Sequence, residues 1–106
     1  MSTKQTTVDF ILEQINDAGT VTAKKMFGEY GVYCDGKMVA LVCDDELFIK
    51  TTPLGKEFVG DCPEKPPYQG AKPYFWISGE KWDESEWLSQ LIRISAAQLP
   101  KKKHSK

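Results

Sequence analysis

The chain has 106 residues, of which 41% are apolar and 27% charged. That is the length and composition of one soluble globular domain, long enough to bury a modest core without staples. No stretch approaches the roughly 18 apolar residues that a bilayer span requires, and Met1-Ser-Thr-Lys-Gln-Thr-Thr7 has no apolar secretory core, so the expected location is the cytoplasm.

The formal charge is −1, unevenly spread. Lys101, Lys102, Lys103 and Lys106 form a basic tail over 101–106, leaving 10 basic against 15 acidic residues in positions 1–100. An acidic body is poor material for gripping phosphates, so direct nucleic-acid binding is disfavoured and the tail reads as a solvated terminus. The cysteines, Cys34, Cys43 and Cys62, are odd in number and show no paired spacing. Neither a disulfide framework nor a zinc site is expected, and no cofactor or metal. The single histidine, His104, lies in the tail, where it cannot serve a catalytic pair or triad.

Val8, Ile11, Leu12 and Ile15 repeat at helical spacing and predict a helix over Thr7–Ala18. Thr6 and Asp9 stand where a capping box would be, and Gly19 where a left-handed C-cap would be. A strand is predicted near Thr22–Phe27, followed by Gly28 and Gly31 as backbone-shaping positions. Asp35-Gly36 between two apolar runs predicts a two-residue hairpin turn. The implied register pairs Cys34 with Lys37, Tyr33 with Met38, and Val32 with Val39; Asp44-Asp45 makes the next turn.

That register divides the meander into two faces. Tyr33, Met38, Ala40, Val42, Leu47 and Ile49 are expected in the core, with Thr51 at its margin. Val32, Val39, Leu41, Cys43 and Phe48 are expected on the opposite face, ringed by Lys37, Glu46 and Lys50. An apolar centre with a charged rim is the pattern of a contact surface, so Val32, Val39, Leu41 and Phe48 are the candidate interaction face. A homodimer or another protein partner is the expected occupant.

Thr52-Pro53 predicts a short capped helix. Residues 59–73 form a long loop with four of the six prolines; Cys62, Tyr68, Gly70 and Lys72 in it, with Tyr74, could instead build a small-ligand or enzymatic site. Tyr74–Ile77 alternates as a last strand. Trp87, Leu88, Leu91, Ile92, Ser95 and Leu99 stripe a closing helix, with Asp83 and Glu86 as its capping box, Trp82 as its staple and Pro100 as its stop. Trp76, Trp82 and Trp87 read as core. The whole is a two-layer α+β domain: a helix, an antiparallel meander of four to five strands, and a closing helix packed on one face.

Motifs that would carry chemistry are sparse. Gly28-Glu-Tyr-Gly31 has the spacing of a nucleic-acid clamp, but it contains an acid and joins strands rather than helices. Asp44-Asp-Glu46 lacks the alternating ligands of a calcium loop.

Lys25-Met-Phe-Gly-Glu-Tyr-Gly-Val-Tyr-Cys-Asp-Gly36, then Met38-Val-Ala-Leu41 and Leu47-Phe-Ile-Lys50, resembles the N-terminal domain of the TfoX/Sxy family. The motif residues are Met26, Phe27, Gly28, Tyr30, Gly31, Tyr33, Asp35 and Gly36, and the likeness runs over about residues 7–99 of an ordered core. It implies a two-layer α/β fold and no catalytic residues. It also implies a regulatory context: TfoX-like proteins regulate bacterial competence genes, acting with the cyclic-AMP receptor protein. Longer family members carry a second domain, which would begin where this sequence stops. Ser78-Gly79 stands where the family tends to have a proline-containing segment. The expectation is therefore a non-enzymatic, bacterial regulatory module acting by protein contact, with a role in transcription regulation.

Overall fold

A computed structural model describes residues 3–26 and 28–99. The motif residue Phe27, the helix stop Pro100 and the basic tail lie outside the described residues.

Six antiparallel strands form one sheet in the order β1-β2-β3-β4-β6-β5. They are β1 (Val21–Met26), β2 (Glu29–Cys34), β3 (Lys37–Cys43), β4 (Glu46–Ile49), β5 (Glu64–Lys65) and β6 (Tyr74–Ile77). One more strand is present than expected, because Glu64 and Lys65 in the long loop pair with Phe75 and Tyr74. The helices α1 (Gln5–Gln14), α2 (Pro53–Val59) and α3 (Ser85–Gln98) pack on one face of the sheet. The α+β, two-layer reading holds.

The core lies between helices and sheet. Val8 and Ile11 of α1, Leu88, Leu91 and Ile92 of α3, and Val42, Leu47, Ile49 and Phe75 of the sheet are all at most 1% exposed. Each large apolar side chain so buried contributes roughly 1.5–3 kcal/mol of transfer free energy. Both hairpin turns form as the sequence requires. Asp35 and Gly36 have φ of 52° and 85°, and Asp44 and Asp45 have φ of 55° and 60°. Two successive positive values are the condition for the type I′ turn, which suits the twist of the flanking strands.

The register between the two turns differs from expectation in one place. Tyr33 pairs with Met38 and Cys34 with Lys37, but Val32 pairs with Ala40 rather than Val39. Val39 is the extra residue of a β-bulge, and a bulge reverses the facing of everything on its far side. The correction falls on four residues. Val32 and Val39 are fully buried in the helix-covered core and cannot serve as a contact face. Tyr33 and Met38, expected in the core, are half-buried outside it. Met38 joins Leu41, Cys43 and Phe48 in a second, outer cluster.

The helix starts differ as well. Thr6 lies inside α1, which opens after Lys4 with no side-chain cap of its own. The helix gives way to a 3₁₀ turn at Asn16–Ala18, and Gly19, at φ 153° and ψ −156°, has a positive φ that suits glycine but is not the left-handed helical C-cap expected. Asp83 does not cap α3, whose first residue is Ser85. The Ser85 hydroxyl instead donates to the Gln14 carbonyl at 2.6 Å, and Ser89 donates to the same oxygen at 3.0 Å. Two side chains of α3 thus satisfy a carbonyl that the end of α1 leaves open. Thr52 caps α2 as expected, its Oγ1 accepting from the Gly55 N–H at 3.0 Å.

Candidate functional site

The outer face of the sheet, away from the helices, holds the candidate site. Its floor is built by alternation. Met26 of β1, Gly31 of β2, Met38, Leu41 and Cys43 of β3, and Phe48 of β4 face outward, and Leu41 lies directly between Gly31 and Phe48. Gly31 leaves a hole in this floor. A Cβ built there would come within 2.9 Å of the Met26 Cε and 3.2 Å of the Met38 Sδ, so the two methionines fold together over the glycine. Methionine is the side chain best able to reshape itself around a guest.

The loop between β5 and β6 rises over part of this face. Phe48 pairs across the sheet with Trp76 and is 3% exposed. Lys65 sets its ammonium 4.5 Å from the centroid of the Trp76 ring, covering it as a cation–π contact. Farther toward β1 the cover stops. There a groove of about 770 Å³ opens, lined by Met26, Met38, Leu41, Cys43 and Tyr74, with Pro67 and Tyr68 as one lip and Glu29 and Asp44 at its rim. Tyr68 is 61% exposed, the largest exposure among the big hydrophobic side chains described. The volume falls in the range of about 300–1,000 Å³ typical of binding pockets.

The charges of the groove are uneven. Glu29 accepts a hydrogen bond from the Thr3 hydroxyl and another from the Asp44 N–H at 2.9 Å, both through Oε1. These bonds fix one carboxylate at the rim and tie the β3–β4 turn to β2. Two lysines mark other parts of this face: Lys24 lies near the Tyr33 ring at 5.9 Å, and Lys65 lies over Trp76 with its ammonium 4.0 Å from Glu46. Burial pushes the Cys43 thiol up to about 11, and the Glu29 and Asp44 charges add to the shift. Burial likewise raises the Tyr74 hydroxyl, with Tyr68 and Cys43 contributing. At neutral pH both groups are protonated, so neither is a ready nucleophile.

Among the expected site residues, Tyr68, Tyr74, Leu41, Met26 and Gly31 come together at this groove or its floor. Phe48 lies beside it, buried against its strand neighbour Trp76. Val32 and Val39 do not join it. Cys62 does not either: it sits at a separate cleft of about 120 Å³ with Pro63, Lys81 and Trp87, its thiol near the carbonyls of Pro63 and Trp76 and raised by burial. The small-ligand set of Cys62, Tyr68 and Tyr74 is therefore divided between two places. Met38 and the two rim acids were missed as site residues; the bulge hid the first, and nothing local signals that Glu29 reaches the turn at Asp44. Asp35 and Gly36 serve the turn, and Asp35 also accepts from the Thr20 N–H at 2.9 Å. Tyr30 is a core residue whose hydroxyl donates to Gln5 Oε1 at 2.8 Å. Among the described residues there is no cluster of three or more metal-ligating side chains, and no helix long and apolar enough to cross a membrane.

Comparison with known proteins agrees with this architecture. The family model described as the TfoX N-terminal domain matches residues 13–99. An uncharacterised 12.7 kDa protein in the trpE 5′ region of Spirochaeta aurantia is 35% identical over 106 residues, covering 100% of this chain and 91% of that protein.

Proposed function

The chain belongs to the TfoX N-terminal domain family, and from that premise we propose that it is a non-enzymatic regulatory module that acts by binding a protein partner at the outer face of its sheet. The observation that carries this reading is the groove: an apolar, methionine-floored surface left open beside the buried Phe48. A soluble domain rarely leaves such a patch without a use. The neutral Cys43 and Tyr74 support a binding role over a catalytic one. Control of transcription in bacterial cytoplasm is the context that the family resemblance supports, and a second copy of the chain is one form the partner can take.

The test is a pull-down from cells making the tagged chain at native level, beside a variant carrying Met38→Gln and Tyr68→Ser. Both positions reach solvent, so the variant keeps the core intact. A specific protein recovered with the parent and lost with the variant is expected. Recovery of nothing specific counts against the reading. Light scattering after size exclusion decides between a second copy and a different partner.

A second reading has one observation in its favour. The groove is large enough for a small molecule and has the 59–73 loop as its lip, so a small-ligand site there is the alternative. Saturable binding of a purified metabolite fraction that the same variant abolishes, with no protein recovered, would favour it.

A further inference from the structure

The groove has one more property: its open end is acidic while its floor is apolar. Glu29 and Asp44 stand at that rim. Glu29 spends only Oε1 on its two hydrogen bonds; Oε2 accepts none among the described residues. Asp44 is exposed. Lys24 stands near Tyr33, and Lys65 lies over Trp76 with its ammonium 4.0 Å from Glu46; among the described residues no salt bridge reaches Glu29 or Asp44.

We propose that the groove receives a short segment of a partner protein in which a large apolar side chain is followed or preceded by lysine or arginine. The apolar residue fills the space over Met26, Met38 and Leu41, and the cation meets Glu29 and Asp44. This rests on the reading of the groove as a docking site and specifies what docks. Charge complementarity selects the cation, because an acidic or neutral flank would leave the rim carboxylates unpaired or repelled. The mobile thioethers suit an apolar anchor of variable shape. A second copy of the chain fits less well. Two concave surfaces with raised Tyr68 lips would meet rim to rim and enclose a void, whereas a projecting segment fills one groove.

The experiment selects random heptapeptides displayed on phage against the full chain. Winners are remeasured by fluorescence anisotropy on three proteins: the parent, a Glu29→Gln and Asp44→Asn double variant, and the Met38→Gln and Tyr68→Ser variant. Gln keeps an acceptor for Thr3, and Asn tolerates the positive φ of position 44, so the first variant removes charge while keeping the turn. The expected winners pair a large apolar residue with lysine or arginine. Their affinity falls about fivefold or more on the charge variant, and falls with added salt. Winners without basic residues, or with undiminished affinity for the charge variant, overturn the proposed chemistry and leave the groove reading standing if the Met38/Tyr68 variant still loses them. Winners indifferent to the Met38/Tyr68 variant overturn the groove itself. A selection that enriches nothing overturns the proposal that a short segment suffices.

Discussion

The carboxylate of Asp45, at the turn between β3 and β4, accepts a hydrogen bond from the backbone N–H of Lys4 at 2.9 Å. The same oxygen accepts from the Thr7 hydroxyl, also at 2.9 Å. Lys4 is the residue that opens α1, so the helix is capped by a side chain far away in sequence. An anion there also meets the positive end of the helix dipole. The turn thereby ties the helical layer to the sheet beside the proposed groove.

This contact predicts an acid-sensitive helix start. The two hydrogen bonds hold the Asp45 carboxyl below its ordinary value of 3.8. A depressed carboxylate stabilises the folded state above its unfolded pKa, and that contribution is lost as pH falls through the folded value. Asp45→Ala should therefore lower the Tm at pH 7, and the difference from the parent should shrink as pH falls below about 4. Thermal melts followed by circular dichroism across that range check it. A difference constant with pH would show that the charge is not what matters.

The bulge at Val39 gives a second prediction. Val32 and Val39 are both 0% exposed and packed in the main core. Val32→Ala or Val39→Ala should cost about 2 kcal/mol, the transfer value of the lost methyls plus a partial cavity. Met38→Ala, on the half-exposed outer face, should cost clearly less. Urea unfolding with unchanged m values would measure both. Equal costs would mean that the bulge does not sort the two faces as described.

That bulge also marks the limit of what the sequence made legible. Turn residues at Asp35-Gly36 and Asp44-Asp45 were readable because positive φ restricts the choice of residue. Helices were readable because Val8, Ile11 and Ile15, or Leu88, Leu91 and Ile92, repeat at one spacing. Val39 gave no local sign, since Met38-Val-Ala-Leu-Val42 is apolar at every position and fits either facing. The face assignment therefore followed the turn, and failed where an extra residue intervened. The capping errors have a related cause. Thr6 and Asp83 fit a local motif, but the open ends of α1 are satisfied by Asp45, Ser85 and Ser89, which only the fold brings near. The groove combines both difficulties. Tyr68 and Tyr74 could be suspected from a long proline-rich loop, while Glu29 and Asp44 meet only through strand pairing.

Gly55 gives a prediction in which two effects oppose. It lies inside α2, where alanine is ordinarily about 1 kcal/mol better than glycine. A Cβ at this position, however, would lie 2.7 Å from the Thr52 Oγ1 and 3.2 Å from the Phe75 Cε2. Thr52 Oγ1 is the cap that accepts from the Gly55 N–H, and Phe75 is fully buried. Making room means losing the cap, worth about 1 kcal/mol, and displacing a packed ring, worth about 1–3 kcal/mol. The second pair outweighs the first, so Gly55→Ala should be net destabilising. A raised denaturation midpoint would show that Thr52 can rotate away without loss.

The thiols offer the sharpest separation between a binding surface and a catalytic one. Cys43 lines the groove, 7% exposed, with its thiol raised to about 11 by burial and by Glu29 and Asp44. At pH 8 its thiolate fraction is on the order of one part in a thousand, and only the thiolate attacks a disulfide reagent. Cys34 is fully buried, and its thiol is also raised by burial. Cys62 is the most accessible of the three, though burial raises it too. The native protein should therefore react with a chromogenic disulfide at no more than one thiol, slowly, and that thiol should be Cys62. All three should react at once in denaturant. Reaction at Cys43 should speed up as pH rises from 8 to 10, and Glu29→Gln with Asp44→Asn should speed it further by removing the charges that oppose the thiolate. Mass spectrometry of the labelled peptides assigns the site. Rapid modification of Cys43 at pH 7 would reveal an activated nucleophile in the groove, and would move the chain from binding module toward enzyme.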